Sequence, residues 1–199
     1  MKLLATVRTL RMAPEFLFRL AVIFLLVAPH RGVATGVVTN CSEADLRAAL
    51  VGGGTVTFAC DGTVTLTNTL VIAQNVAIDA SGRQVTLSGG GAVRLFEVNS
   101  GVQLTLNHMA LVNGYAVSLA GALWNDGTAR LIDCTLSNNV AFGAPFGLAL
   151  GGAIYHRYGA LHLSGCTFVG NRAVTTNGGM TRGGAIAGGA FQSQPQVPA

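Results

Sequence analysis

Three stretches of this chain can be laid one on another. LTLNHMALVNG (Leu104–Gly114), ARLIDCTLSNN (Ala129–Asn139) and LHLSGCTFVGN (Leu161–Asn171) place Leu106, Leu131 and Leu163 in one column. Met109, Cys134 and Cys166 fall in the next column, and Leu111, Leu136 and Phe168 in a third. Leu106 to Leu131 is 25 positions and Leu131 to Leu163 is 32. A second element recurs in the gaps: GALW (Gly121–Trp124), GGAIY (Gly151–Tyr155) and GGAIA (Gly183–Ala187). Like elements in a fixed order at such a period are the mark of a solenoid, in which one repeat is one coil. The longer later period is accounted for by an apolar loop, Phe142–Leu150, inserted between coils.

Upstream, the runs Thr55–Phe58, Val64–Leu66, Leu70–Ile72, Val76–Ile78, Val85–Leu87 and Leu95–Phe96 are short, rich in Val, Ile, Leu and Thr, and followed by Gly, Asn, Asp or Ser. Alternation over so few residues predicts strands rather than helix. Winding one repeat per turn stacks like strands in parallel about 4.8 Å apart. The expected fold is therefore all-β, a parallel β-helix in which each coil buries its face against its neighbours. Glycine, 27 of 199 residues, is about double the usual ~7% and suits the corners of such a coil. It has no three-residue period, which excludes a collagen-like chain, and the 50% hydrophobic content excludes disorder for most of the chain. Outward threonines (Thr55, Thr57, Thr63, Thr65, Thr67) fit a pleated surface and agree with a charged content of only 10%.

Residues 1–34 carry Lys2, Arg8, Arg11, Arg19 and Arg31 against Glu15 alone, and an apolar run, Leu20–Ala28, too short for the ~20 residues that cross a bilayer. This suits a signal peptide, with Gly32 and Ala34 as the small residues ahead of cleavage before Thr35. The alternative is an uncleaved anchor over Phe16–Ala28 with Arg19 snorkelling. Without the leader, Lys+Arg falls from 12 to 7 and Asp+Glu from 8 to 7, so the remaining chain is neutral and lysine-free. Its seven arginines are scattered, and nucleic acid, which needs clustered positive charge, is not an expected partner. No stable transmembrane span is expected in the mature chain, which is expected to be secreted or held at the cell surface.

Residues 35–54 form an N-terminal capping segment with a short helix over Ser42–Leu50. Ser42 is its cap, Asp45 completes a capping box, and Leu46, Ala49 and Leu50 form an apolar stripe. This helix covers the N-terminal end of a solenoid expected over residues 55–190. Residues 191–199, polar and Pro-containing, are expected to be a disordered tail. In an oxidising compartment Cys41 and Cys60, 19 positions apart, are candidates for a disulfide that pins the helix to the first strand; the alternative is two buried thiols. Cys134 and Cys166 sit at matching repeat positions as small packing residues. Neither belongs to a CxxC pair or lies near a His at zinc spacing, so no metal or other cofactor is expected.

Gly151, Gly152, Ala153 and Ile154, then Gly183, Gly184, Ala185 and Ile186, together with Phe168 and Asn171 of FVGN, resemble the GGAI and FxxN tetrapeptides of polymorphic outer membrane protein repeats. LSNN (Leu136–Asn139) and GALW are degenerate versions. Cys41–Leu66 and Val76–Val98 are similar to the opening of large bacterial surface proteins with right-handed parallel β-helix repeats. The resemblance spans about residues 41–189 and implies a right-handed β-helix and a secreted or surface-displayed, outer-membrane-associated passenger.

The pectate-lyase-like fold also carries enzymes, so the placement of each acid and base bears on catalysis. A lyase needs acids clustered for Ca²⁺ and a base. A glycosidase needs two carboxylates about 5–9.5 Å apart. Glu43 and Asp45 belong to the helix cap, and Asp61, Asp79 and Asp126 to turns. Glu97 and Asp133 remain, with Asp133 aligned to Asn107 and Gly165, a column without a second acid. His108 falls at a turn. His156, Arg157 and Tyr158 could hold a sugar, and Trp124 and Tyr155 could form an aromatic platform; solvated corner and packing roles are the alternatives. Serine has no G-x-S-x-G setting, and Asn40-Cys41-Ser42 is an idle sequon. No catalytic residue is assigned. The expected function is a non-catalytic structural or adhesive module, with carbohydrate or a host or cell-surface protein as partner. The alternative is a polysaccharide-active enzyme, a lyase before a glycoside hydrolase.

Overall fold

A computed structural model of the chain describes residues 35–189, and the leader and tail expected above lie outside the described residues. The first elements are β1 (Thr35–Val38) and the helix α1 (Glu43–Leu50). Coil 1 follows with β2 (Gly54–Phe58), β3 (Gly62–Thr65) and β4 (Leu70–Ile72), and coil 2 with β5 (Val76–Asp79), β6 (Val85–Ser88) and β7 (Phe96–Val98). Coil 3 holds β8 (Gln103–Asn107), β9 (Met109–Val112), β10 (Tyr115–Val117) and β11 (Leu123–Asn125). Coil 4 holds β12 (Thr128–Ile132), β13 (Thr135–Ser137), β14 (Val140–Gly143), β15 (Leu148–Leu150) and β16 (Ile154–His156). Coil 5 holds β17 (Ala160–Ser164), β18 (Thr167–Val169), β19 (Arg172–Thr175), β20 (Met180–Arg182) and β21 (Ile186–Gly188).

Each strand pairs with its counterpart one coil away, giving sheet A (β1-β2-β5-β8-β12-β17), sheet B (β3-β6-β9-β13-β18) and sheet C (β4-β7-β11-β16-β21). All the strand pairs are parallel, so the chain is a parallel β-helix. The repeat columns are its rungs: Leu106, Leu131 and Leu163 are partners, as are Leu111, Leu136 and Phe168. Inward residues merge into one continuous core, with Leu106, Leu131, Leu111 and Leu136 fully buried. Leu163 is 38% exposed, because no described coil lies beyond it.

Two features differ from the expectation. The capping segment contains a strand, β1, which pairs with β2 and so begins sheet A. The stretch Phe142–Leu150 is not wholly loop: β14 pairs with β10 and β19, and β15 with β20, forming two further small sheets. Strands of three or four residues carry too little alternation to be seen alone, and it is the neighbouring coil that makes them strands.

At the N-terminal end α1 packs on β1 and β2. A Cβ added at Gly36 would lie 2.7 Å from that of Ala49, so glycine is what admits the helix this closely. Leu46 is fully buried and completes the core. Ser42 Oγ accepts from Asp45 N (3.2 Å) as expected of the cap. The return bond differs: the Asp45 carboxylate accepts from the Asn40 amide (2.9 Å) rather than from Ser42. Cys41 and Cys60 are disulfide-bonded with Cα atoms 5.8 Å apart, closing a loop over α1 and β2 that contributes roughly 3 kcal/mol by loop-closure entropy.

Glu43 ties the cap to coil 1. It pairs with Arg47 (2.7 Å) and accepts from Thr67 N (2.9 Å) and Oγ1 (2.8 Å). Burial pushes its carboxyl up, but the bonds from Arg47 and Thr67 outweigh this and hold it below its ordinary value. Asp45, Asp61 and Asp79 are also lowered, led by bonds from the Asn40 amide, the Gln84 amide and the Ser81 side chain. Folded-state values below the unfolded ones give stability that is complete above the unfolded carboxylate pKa of about 4 and lost as pH falls through the folded values. The melting temperature is therefore expected to fall as pH drops below about 4, and Glu43→Gln should flatten that slope. Equal melting temperatures at acid and neutral pH would contradict this.

Candidate binding groove

The corner from sheet A to sheet B is one residue long in coil 3 and two in coils 4 and 5, and its first residue, His108, Asp133 or Gly165, has φ 54°, 49° or 62°. In register Asn107 pairs with Ile132, so Asp133 stacks on His108 and not on Asn107 as expected from the sequence. His108 Nε2 lies 3.5 Å from Asp133 Oδ2. Its Nδ1 lies 2.7 Å from Asn107 Oδ1 and 3.1 Å from Ser81 Oγ. The Asn107 amide nitrogen donates to Asp79 Oδ1 (3.1 Å) and Ser81 Oγ (3.3 Å), which orients its oxygen toward His108. Nδ1 is then the donor in that bond, a tautomer inferred from the network. Ser81 therefore faces an N–H rather than a lone pair and is not activated as a nucleophile, although Ser81, His108 and Asp133 stand in line.

Among the described residues every acid except Asp133 has a donor partner, and Asp133 faces only His108 Nε2, which donates to it when the imidazole is protonated. Glu97, a candidate from the sequence, pairs with Arg94 (3.2 Å) on the outer side of sheet C, away from Asp133. Asp61 accepts from Gln84 N (2.7 Å), and Asp126 accepts from Trp124 Nε1 (2.8 Å) and pairs with Arg157 (2.9 Å). Among the described residues no group of three or more His, Cys, Asp or Glu is placed to hold a metal ion.

Trp124 and Tyr155 are partners in sheet C, but they do not form an open platform. Tyr155 is buried in a cluster with Ala120 and Leu150, against which Leu148 packs. The Trp124 ring is covered by Arg94 from the coil before (4.8 Å to the ring centre) and approached by Arg157 from the coil after (5.7 Å). Arg157 also lies over Tyr158 (4.7 Å), and His156 contacts Asn125 (3.0 Å). This constellation is internally satisfied, which favours the packing role for its aromatic rings.

The repeat-motif residues act on the backbone. Gly151 and Gly183 turn at φ 62° and 60°. A Cβ at Gly152 would overlap the carbonyl of Gly184 and the backbone of Arg172. Ala153 and Ile154 are fully buried, and Ala185 and Ile186 repeat them one coil on. Phe168 stacks on Leu136. Asn171 Oδ1 accepts from Asn139 Nδ2 (2.9 Å), and Asn139 in turn bonds Leu111 O (3.0 Å) and Gly114 N (2.8 Å), a buried ladder that closes the turn after sheet B.

Sheet B carries an open outer face, as sheet A does over Thr55, Ala77 and Thr105. The outward columns of sheet B are Thr63, Thr86, Ala110, Thr135 and Thr167, then Thr65, Ser88 (buried), Val112, Ser137 and Val169, without a charged side chain. A shallow groove of about 490 Å³ runs over Thr86, Ala110 and Thr135, rimmed by Arg83, Gln84, His108 and Asp133. The sequence repeats contain Ala110, Thr135 and Thr167 in one column, a signal that would have found this floor had outward positions been followed as well as inward ones. No protein family, curated protein or solved structure matches the chain.

Proposed function

We propose that the chain is an exported, non-catalytic β-helix module that adheres to a neutral polysaccharide along sheet B. The observation that carries this is the groove itself: an uncharged floor of Thr, Ala and Thr at one residue per rung, with hydrogen-bonding side chains along one rim. Rungs about 4.8 Å apart offer a regular row of hydroxyl and methyl groups to an extended glycan lying along the solenoid axis. With every acid except Asp133 already partnered, the polar groups left for a ligand are neutral hydroxyls and the rim side chains, Asp133 among them. Export rests on the leader, and cleavage before Thr35 would fall immediately ahead of β1, leaving every described rung intact.

Co-sedimentation of the chain with insoluble neutral glycans (cellulose, chitin, xylan) tests the proposal. Retention is expected, with Thr86→Glu/Thr135→Glu at least tenfold weaker. Passage of the chain past all neutral glycans would overturn it. The alternative, a lyase, draws on His108 and Arg83 in the same groove. Ultraviolet-absorbing unsaturated product from polygalacturonate with Ca²⁺ would favour that enzyme over a non-catalytic module.

A further inference from the structure

Cys134 and Cys166 are both free thiols, the first buried and the second half-buried. They belong to one inward column, because Thr135 and Thr167, the residues after them, are partners in the register of β13 and β18. Neighbouring parallel strands lie about 4.8 Å apart, within the ~4.4–6.8 Å between Cα atoms that a disulfide spans. The sulfurs are also aimed suitably. Cys166 Sγ contacts Leu131 O (3.4 Å), so it leans back toward the coil that holds Cys134. Cys134 Sγ contacts Leu106 O (3.6 Å), so it leans away by one coil. Only Cys134 has to turn for the two to meet.

We propose that Cys134 and Cys166 are the site of a second disulfide, which clamps the last coil onto the one before it. This goes beyond the adhesive function and does not depend on it. The bond would close the stretch from β13 to β17 and tie coil 5, where Leu163 is 38% exposed, to coil 4, where its partner Leu131 is fully buried. The oxidant is a small-molecule or protein disulfide. The Cys166 thiolate attacks it, forming a mixed disulfide and releasing one thiol. The Cys134 thiolate then attacks the Cys166 sulfur, forming the Cys134–Cys166 bond and releasing the second thiol. The two protons and two electrons of the pair end on the oxidant's thiols. The second step is slow at neutral pH, since burial pushes the Cys134 thiol up to about 11.

The folded full chain, incubated with oxidised glutathione and quenched with acid, tests this by alkylation and peptide mass spectrometry. The expected result is loss of both thiols and a linked peptide carrying Cys134 and Cys166, beside the intact Cys41–Cys60 link. Closure should speed up about tenfold per pH unit between pH 7 and 9, as the thiolate fraction rises. Amide exchange in β17 and β18 should slow by about tenfold or more relative to the same chain before oxidation. This comparison uses one chain in two redox states and needs no variant to fold. A mixed glutathione disulfide that never closes, two thiols that still alkylate, or links that join these cysteines to Cys41 or Cys60 would each overturn the proposal.

Discussion

Phe96→Ala will lower the unfolding free energy by about 3–5 kcal/mol, the range for truncating a fully buried aromatic. Phe96 is fully buried and sits in sheet C between Leu70 and Leu123, both buried as well. The hole left behind cannot close by collapse. The rungs on either side are held by their own ladder bonds, including Phe96 N to Ala122 O (2.8 Å), so neighbouring side chains cannot approach without breaking backbone pairing. Urea unfolding should show the midpoint falling at constant slope. Val71→Ala, on the same sheet but 57% exposed, serves as the control and should stay within about 0.5 kcal/mol. A Phe96→Ala loss as small as that of the control would mean the core is looser than its burial implies.

Gly121→Ala is expected to cost about 3 kcal/mol, at the upper end of overpacking. The new Cβ would lie 2.5 Å from Val140 N and 2.7 Å from the carbonyl oxygens of Gly114 and Gly152. All three are backbone atoms, two of them in the next coil, so no side chain can rotate out of the way. Gly82→Ala separates space from conformation. Gly82 has φ +75° and nothing within 4 Å of an added Cβ, so its cost is the left-handed backbone alone, about 1–2 kcal/mol. If thermal melts show Gly121→Ala no worse than Gly82→Ala, close coil-to-coil contact is not what selects glycine in this column.

Much of the fold was legible because a solenoid writes its contacts into its period. Leu106, Leu131 and Leu163 could be matched by eye, and their equivalence in the alignment is their neighbourhood in space. The same logic reached Trp124 and Tyr155. It failed where a residue's role is decided by another coil. Thr35–Val38 alone has no pattern that says strand; pairing with β2 makes it one. The capping-box return bond goes to Asn40 because the chain turns back there, with Ser42 N bonded instead to Asn40 O (2.6 Å). The His108 and Asp133 contact was hidden by placing Asp133 against Asn107, a slip of one residue that exchanges an outward corner position for a strand position. The groove was missed because it is made of threonines, whose presence on outward strand positions is ordinary, and only the shared column and the polar rim distinguish these.

Ala129 to Leu161 takes 32 residues to return to the same place on sheet A, whereas Leu104 to Ala129 takes 25, yet β12 pairs residue for residue with both β8 and β17. Nearly all the added length lies between sheets B and C: Leu111 to Leu123 is 12 positions, while Leu136 to Ile154 is 18. That corner behaves as an expansion joint. It takes up foreign length without passing any change of register to the rungs above or below, so an affinity tag or peptide epitope spliced between Gly143 and Leu148 would be displayed sideways from an undisturbed stack.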